Sequence, residues 1–364
     1  EPKGVRVPGR SVLNFLESMA RRPGFQRSDR LLAVTTLSFD ISVAELFLPL
    51  RTGGAVVLAS SADAMDAVAL TRMMEKHEVT VLQGTPATWR LLCASAWEGR
   101  PGLRAWCGGE AFPRDLLQDL LPRVDQVWNM YGPTETTVWS TCTRLTDGEA
   151  PITIGSPIHN TWCHVVDTDG RLVAPGVPGE LYIGGVGVTD GYLDRPEENA
   201  RRFVPDPVLP DAGRVYRTGD MVRWRRDGSL EHLHRVDQQV KLRGFRIELG
   251  EIEAVLADTQ GVQAAAVVLS EMDGTPELVG YVAAPEGPLT ERGLRDRAAE
   301  HLPAYMVPRI LIRMDELPLT ENGKIDRKAL PDPGTDPGWG VSSGLVPPET
   351  EAEEYLFGVW RDVL

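Results

Sequence analysis

Histidine and cysteine are scarce in this sequence, and their scarcity limits the chemistry that it can support. The 364 residues include six histidines and four cysteines. None of the histidines lies in an H-E-x-x-H or nucleophile-elbow context, which disfavours a hydrolase with a histidine base. The cysteines form no C-x-x-C pair and lack the spacing of zinc ligands. We therefore expect free thiols, as in a protein of the reducing cytoplasm.

Basic charge is also in short supply, as are long apolar runs. Lys and Arg number 38 against 52 Asp and Glu, so the formal net charge is −14. This balance argues against a nucleic-acid binder with a basic face, although it does not exclude a nucleotide in a local pocket. No apolar run reaches the roughly 20 residues of a membrane-spanning helix. The sequence therefore predicts neither a nucleic-acid partner nor a membrane partner.

Between residues 31 and 131 the sequence alternates between strand and helix patterns. Short apolar runs predict strands at 31–36, 55–60, 79–84, 103–109 and 126–132. The segments between them predict helices at 42–50, 66–78, 85–95 and 113–121. Such alternation is typical of an α/β fold with a parallel sheet covered by helices on both faces. Ligands of these sheets bind at the carboxyl ends of the strands.

The pattern changes further along the chain. Gly-rich strand and turn pairs within residues 150–236 predict a small antiparallel β unit, which completes a large subdomain over residues 1–236. Residues 237–332 predict a small α+β subdomain. Residues 333–348 are rich in Pro, Gly and Ser and predict a linker. Residues 349–364 then resume an amphipathic helical pattern, as if a further domain began there.

The loop NMYGPTETT, residues 129–137, interrupts this regular pattern at the end of a predicted strand. Its Gly-Pro pair suits neither a strand nor a helix. The loop is therefore either a plain turn or a place where hydroxyl groups and one carboxylate meet a ligand. Its position at a strand carboxyl end favours the ligand-binding interpretation.

Eight stretches in order make the sequence similar to the adenylation domains of nonribosomal peptide synthetases, within the adenylate-forming superfamily. They are PKG (2–4), FDISV (39–43), NMYGPTETT (129–137), GELYIGGVGV (179–188), YRTGD (216–220), RVDQQVKLRGFRIELGEIE (235–253), LPAYMVP (302–308) and NGKIDR (322–327). The resemblance covers nearly the whole chain. It implies an amino-acid adenylating ligase, which joins a carboxylate to the α-phosphate of ATP and releases pyrophosphate. The acyl group then passes to the phosphopantetheine thiol of a carrier-protein domain.

The resemblance implies a set of residues for phosphate and metal chemistry. Thr134 would bind a phosphate oxygen, and Glu135 would hold Mg²⁺, a hard cation that prefers carboxylate oxygen. Lys324 would bridge the substrate carboxylate and the α-phosphate, where a flexible cation neutralises developing charge. It would enter the site when a mobile C-terminal subdomain closes about the hinge residue Asp237.

The same resemblance implies the nucleoside contacts. Asn129 and Tyr131 would contact the adenine, by a hydrogen bond and by stacking respectively. Gly109 would lie beside the nucleotide. Asp220 would accept hydrogen bonds from the ribose hydroxyls, and Arg235 would contact the ribose from the junction between the subdomains.

Asp40 matches the position at which amino-acid-activating members carry an aspartate, and it would pair with the α-ammonium group of the substrate. By resemblance, the substrate pocket would be lined by Asp40, Ile41, Ala44, Gln83, Trp106, Gly108, Met130, Val138 and Trp139. Two tryptophans and a methionine leave little room for a side chain. We therefore expect glycine or another small amino acid as the substrate.

Two alternatives stay open from the sequence. One is an acyl-CoA or aryl-acid ligase of the same superfamily, and the other is a non-catalytic docking module among the neighbouring domains of a larger synthetase. Asp40 argues against the first, and the intact set of Glu135, Asp220 and Lys324 argues against the second.

The phosphate loop of the family precedes the PKG stretch, and only its tail, residues 1–4, is present. The resemblance therefore implies an N-terminally incomplete domain that lacks part of its phosphate cradle.

Overall fold

A computed structural model of the chain describes residues 3–236, 239–242, 245–272, 275–284, 289–319 and 325–333, together with residues 339 and 350. By its contacts the chain divides into two units, Glu1–Arg246 and a second one from Ile247 onward. Asp237 and Lys324 lie outside the described residues, as does most of the predicted linker and nearly all of the predicted C-terminal helix. Their roles, and the predicted domain boundaries, stay predictions.

Seven strands form the main sheet of the first unit. They are β1 (Arg30–Ala33), β2 (Ala55–Leu58), β3 (Val81–Gly84), β4 (Arg104–Gly108), β5 (Gln126–Tyr131), β6 (Thr141–Leu145) and β7 (Ser156–Pro157). Their spatial order is β2-β1-β3-β4-β5-β6-β7. The first five run parallel, whereas β6 and β7 add antiparallel edges. The predicted parallel strands are confirmed, and the antiparallel edge extends them.

Five helices cover this sheet. They are α1 (Gly9–Met19), α2 (Ser42–Thr52), α3 (Ala67–Lys76), α4 (Pro86–Cys93) and α5 (Arg114–Leu120). Helices α3, α4 and α5 pack on one face with Ala105 and Cys107 of β4, and α1 and α2 pack on the other with Trp106. This alternation is the period of two expected for a strand buried on both faces. Helix α1 was not predicted from the sequence, and its N-cap residue Pro8 offers no capping side chain.

A second sheet of the first unit is antiparallel, as predicted. Its strands are β8 (Thr161–Val166), β9 (Gly179–Gly185), β10 (Phe203–Pro205), β11 (Arg214–Trp224) and β12 (Leu230–Arg235), and helix α6 spans Pro196–Arg202. The order is β10-β11-β9-β8, with β12 also paired to β11. A break in the register of β11 follows Met221, where β12 pairs with it. Strand β11 contains the YRTGD motif (216–220) and lies between β10 and β9 in the sheet.

The second unit has the small α+β fold that the sequence predicts. Strand β13 (Gln239–Leu242) precedes the boundary between the units, and strand β14 (Phe245–Glu248) contains it. Its further elements are α7 (Leu249–Ala257), β15 (Ala264–Met272), β16 (Thr275–Ala283), α8 (Glu291–His301) and β17 (Ile310–Met314). Strand β16 is antiparallel to β15 and parallel to β17. Among the described residues, no helix is both long enough and apolar enough to cross a bilayer.

Candidate active site

The NMYGPTETT loop folds back on itself at the carboxyl end of β5. Residues Thr134–Thr136 form a single 3-10 turn, and the amide of Ser140 donates a hydrogen bond of 2.8 Å to the carbonyl of Tyr131. Gly132 permits this close return, because a Cβ there would contact the Val138 carbonyl and lie 2.7 Å from the Ser140 nitrogen. The loop is thereby held at the edge of the sheet where ligands of such folds bind.

The same loop contains two residues in a costly backbone conformation. Thr137 and Val138 have φ values of 67° and 64°, a left-handed region that β-branched residues rarely adopt. Such conformations cost about 1–3 kcal/mol each and are found mainly at functional sites. The Thr137 hydroxyl donates a 2.7 Å hydrogen bond to the Gly187 carbonyl, which helps to hold the loop in place.

A cavity of about 60 Å³ lies beside this loop. Its walls come from the start of α2, from the loop, and from strands β11 to β13. The lining residues are Phe39, Asp40, Ile41, Gly109, Tyr131, Gly132, Pro133, Thr134, Val138, Trp139, Asp220, Arg235 and Lys241. The structure thus brings predicted nucleotide residues and predicted substrate residues into one cavity, although they are far apart in sequence.

Asp220 is the centre of a polar cluster on one side of the cavity. Its Oδ2 accepts a 2.6 Å hydrogen bond from the Tyr131 hydroxyl, and its Oδ1 faces Arg235 Nη1 at 2.8 Å and His232 Nε2 at 3.1 Å. Burial opposes ionisation, but the hydrogen bond from His232 and the charge of Arg235 hold the pKa of Asp220 far below its usual range. The carboxylate is therefore an ionised acceptor.

Two residues that were not predicted from the sequence lie at this cluster, Lys241 on the cavity lining and His232 beside Asp220. The Lys241 ammonium group lies 5.6 Å from the centroid of the Tyr131 ring, within the range of a cation–π contact. Lys241 belongs to the stretch RVDQQVKLRGFRIELGEIE (235–253), and its place in that motif was the available signal. His232 has no comparable signal, because its contact with Asp220 depends on how β12 pairs with β11.

Asp40 lies across the cavity, half-buried at the start of α2. The Thr134 hydroxyl donates a 2.6 Å hydrogen bond to its Oδ2. Burial raises the pKa of Asp40, and the charge of Glu135 adds to this, while Thr134 and Lys241 act in the opposite direction. A bound ammonium group would relieve both unfavourable effects. Because its proton is used here, the Thr134 hydroxyl could donate to another acceptor only after releasing Asp40.

Glu135 is buried next to the cavity rather than on its lining. Its Oε1 accepts a 2.5 Å hydrogen bond from the Tyr192 hydroxyl. Burial and the negative charge of Glu135 raise the pKa of that hydroxyl, so Tyr192 stays a neutral donor. Within the described residues no group of three or more His, Cys, Asp or Glu side chains forms a metal cage. One carboxylate does fit Mg²⁺, which usually binds through one or two carboxylates together with substrate phosphates.

The other predicted pocket residues lie behind the cavity wall. Ala44, Trp106 and Met130 are buried in the core that also contains Ile41, Val138 and Trp139. The Trp139 indole donates a 3.0 Å hydrogen bond to Gln83 Oε1, and a Cβ on Gly108 would lie 2.7 Å from the Trp139 ring. These residues support the wall, and Ile41, Val138 and Trp139 form it.

Asn129 is also away from the cavity lining. It is buried on β5, and its side-chain nitrogen donates a 2.7 Å hydrogen bond to the Thr153 carbonyl. Its predicted contact with adenine stays a prediction. Gly109, by contrast, lies on the cavity wall with a φ of 90°, a conformation that glycine adopts without penalty.

Comparison with known families identifies the class of protein. The family model "AMP-binding enzyme" matches residues 1–193, and "AMP-binding enzyme C-terminal domain" matches residues 251–324. The chain belongs to the AMP-binding enzymes, a family of adenylate-forming ligases. A dimodular nonribosomal peptide synthase of Bacillus subtilis (strain 168) is 47% identical over 365 residues, which are 100% of this chain and 15% of that protein.

Solved structures agree with this membership. A holo four-domain nonribosomal peptide synthetase bound to AMP and glycine has 49% identity and a TM-score of 0.64, covering 91% of this chain and 25% of that one. A holo synthetase protein with adenylation and PCP domains, bound to a vinylsulfonamide inhibitor, has 29% identity and a TM-score of 0.75, covering 84% and 53%. The resemblance to nonribosomal peptide synthetase adenylation domains is therefore confirmed. This chain spans only part of each relative.

Proposed function

We propose that this chain activates an amino acid with ATP for nonribosomal peptide synthesis. An oxygen of the substrate carboxylate attacks the α-phosphorus of ATP. The bond between the α-phosphorus and the oxygen that bridges to the β-phosphate breaks, and pyrophosphate leaves. The thiol of a carrier-bound phosphopantetheine then attacks the acyl carbon, with loss of AMP and the thiol proton. The observation that carries the proposal is the single cavity that contains Asp40, Thr134 and Asp220.

The first part of the proposal is the choice of an amino acid. Asp40 is a partly buried carboxylate that accepts a hydrogen bond from a neutral group, the Thr134 hydroxyl. An α-ammonium group in the cavity would supply a charge-assisted partner for this carboxylate. Acids without an amine leave the carboxylate desolvated and uncompensated, which is unfavourable.

The second part concerns the nucleotide. Asp220 is an ionised acceptor suited to ribose hydroxyls, and Arg235 stands beside it. Tyr131 offers an aromatic surface at the end of β5, and Asn129 and Gly109 would complete the adenine site. Thr134 would donate to a phosphate oxygen once the substrate ammonium engages Asp40.

The third part concerns charge at the phosphates. Glu135 would hold Mg²⁺, which neutralises phosphate charge when it is bound. Lys324, outside the described residues, would bridge the carboxylate and the α-phosphate. Because a carboxylate is already a nucleophile, the main demands on the protein are positioning and electrostatic stabilisation.

The preferred acid is proposed to be glycine. Trp139 lies on the cavity wall and fits directly against Gly108, so a substrate side chain would meet the indole ring. The related four-domain synthetase bound to AMP and glycine supports this choice. Alanine should be accepted less well, since one methyl group changes discrimination by only about 1–3 kcal/mol.

The proposed partners are a carrier-protein domain and the neighbouring domains of a synthetase. A related structure contains both adenylation and PCP domains, which supports a carrier as the acyl acceptor. All four cysteines are free thiols, which supports the reducing cytoplasm as the proposed location.

Exchange of labelled pyrophosphate into ATP tests the function in the full-length protein. Glycine should support exchange, whereas glycolate, which carries a hydroxyl in place of the amine, should be at least about a hundredfold poorer. Asp40→Asn should lower exchange with glycine, while the exposed control Asp211→Asn should not. Exchange that is faster with an aryl or fatty acid would instead favour the related ligases. Complete absence of exchange with every acid would favour the docking module.

A further inference from the structure

We infer that Glu45 is a positioning residue for substrate selection, because it fixes the orientation of Gln83 and, through Gln83, the indole of Trp139 on the cavity wall. This inference rests on the proposed function of the site. Gln83 and Trp139 are predicted pocket residues, whereas Glu45 is not. Glu45, Gln83 and Trp139 are all buried, with relative exposures of 0%, 1% and 2%.

Glu45 lies on the buried side of α2, and its carboxylate accepts hydrogen bonds from the segment that follows β1. Its Oε2 accepts from the backbone nitrogens of Val34 and Thr35, each at 3.0 Å. Its Oε1 accepts from the Thr35 hydroxyl at 2.7 Å and from Gln83 Nε2 at 3.2 Å. In the described part of the chain no Lys or Arg forms an ion pair with it. Four neutral donors therefore hold the carboxylate in place.

The chemistry of the neighbours permits only one orientation of the Gln83 amide. A carboxylate and a backbone carbonyl accept hydrogen bonds, whereas an indole N–H only donates. The Gln83 nitrogen must therefore face Glu45 Oε1 and the Ile41 carbonyl, which is 3.1 Å away. Its oxygen must face Trp139 Nε1, at 3.0 Å. Because Glu45 accepts from the Gln83 nitrogen, the Gln83 oxygen is left to accept from the Trp139 indole.

Two of the residues held in this way belong to the cavity wall. Ile41 and Trp139 line the cavity, and Asp40 adjoins Ile41 at the start of α2. The Trp139 ring also lies against Gly108, where a Cβ would be 2.7 Å from it. The indole is therefore fixed by Gly108 against its ring and by Gln83 at its nitrogen. Glu45 thus acts on the size of the pocket without touching the substrate.

Glu45→Gln is a sharp test because it keeps the shape and changes one acceptor into a donor. If the new amide oxygen takes the two backbone N–H groups, its nitrogen opposes Gln83 Nε2. Gln83 relieves this conflict by turning, which then places its nitrogen against the Trp139 N–H. The indole loses its acceptor and is free to leave the wall. A matched control is Glu17→Gln, because Glu17 is a half-buried glutamate of α1 that pairs with Arg51 of α2, the helix that also carries Glu45.

The measurement is pyrophosphate exchange by the full-length protein with glycine, alanine and valine at about pH 8, above the pKa of about 7 of Glu45, so that its carboxylate is ionised. We expect Glu45→Gln to reduce the kcat/KM ratio of glycine to valine by about tenfold, the upper end of the effect of losing one hydrogen bond between neutral groups, here the Trp139 indole and the Gln83 amide. The KM for ATP should change less than about twofold, because the Asp220 cluster is separate. The control should leave both values at the level of the unmodified protein.

A double-mutant cycle separates this role from a merely structural one. Gln83→Leu removes the link, so adding Glu45→Gln to it should cause no further loss of selectivity. If the two losses multiply, or if folded Glu45→Gln keeps its selectivity, the inference is wrong. If Glu45→Gln does not fold, Trp139→Phe is tested in its place, because it removes only the N–H and part of the ring. Unchanged selectivity of Trp139→Phe would contradict the inference. Failure of the unmodified protein to exchange with any amino acid would instead overturn the proposed function.

Discussion

Two buried carboxyl groups in this protein have opposite pKa shifts, for identifiable reasons. Asp220 has Arg235 and His232 within hydrogen-bonding distance, and its pKa is far below the usual range in spite of burial. Burial raises the pKa of Glu45 to about 7, because its hydrogen bonds to Thr35, Gln83 and the backbone compensate only in part. The two groups therefore make opposite contributions to the dependence of stability on pH.

Glu45 should make the protein less stable as the pH rises from about 4.5 to about 7. An unfolded glutamate ionises near 4.5, whereas folded Glu45 keeps its proton up to about 7. Between these values the folded chain binds more protons, so its free energy of unfolding falls with pH, by roughly 3 kcal/mol in total. Urea unfolding at about pH 5 and about pH 8 measures this for the unmodified protein and for Glu45→Gln. Relative to Glu45→Gln, the unmodified protein should be less stable at about pH 8 than at about pH 5. A stability difference between the two proteins that is the same at both pH values would contradict the pKa shift.

Glu135→Gln should weaken the use of magnesium ATP while the fold persists. The glutamine oxygen can still accept the hydrogen bond from Tyr192, so the loss of stability should stay within about 1–3 kcal/mol. The loss of charge should raise the Mg²⁺ concentration needed for half-maximal exchange at least about tenfold. Tyr192→Phe is the control, because it keeps the carboxylate and removes only the hydroxyl. An unchanged magnesium requirement in Glu135→Gln would show that this carboxylate does not serve the metal.

Among the elements, the loop from Tyr131 to Ser140 requires a glycine at position 132. Gly132→Ala should open it, because the added Cβ meets the backbone of Val138 and Ser140. Backbone cannot move aside as a flexible side chain can, so we expect a loss of about 1–3 kcal/mol in stability and of most exchange activity. Gly9→Ala in α1 is the control, since a Cβ there meets nothing within 4 Å, and it should be neutral or stabilising. Equal stability of the two variants by thermal unfolding would contradict this view of the loop.

Helix α2 illustrates what the sequence predicts and what it leaves open. Its existence follows from the apolar spacing, and the structure places it over Ser42–Thr52. The buried residues Ile41, Ala44 and Leu48 have helical spacing, and Glu45 shares their side. That spacing was a usable signal for a buried acid. The donors at Val34 and Thr35 were not predictable from spacing, because only the fold brings the end of β1 to this helix.

Across the whole molecule, periodicity was sufficient for the layers but not for the site. Alternating runs predicted the parallel strands and most of their covering helices, whereas α1, β6 and β7 received no assignment. Tyr131 and Asp220 are 89 residues apart and yet share a hydrogen bond. Only the resemblance of the YGPTE and YRTGD motifs to a known family connected them in advance. The roles that this resemblance implies for Asp237 and Lys324, which lie outside the described residues, stay predictions.

Trapping with hydroxylamine identifies both the reaction and the acid in one measurement. The full-length protein is given ATP, Mg²⁺ and an equimolar mixture of amino acids and amine-free acids, and hydroxylamine converts any acyl adenylate to a hydroxamate with release of AMP. Mass spectrometry should detect the hydroxamate of glycine as the main product, with AMP formed in equal amount. Formation of ADP without AMP, or a main hydroxamate derived from an acid without an amine, would contradict amino-acid adenylation by this chain.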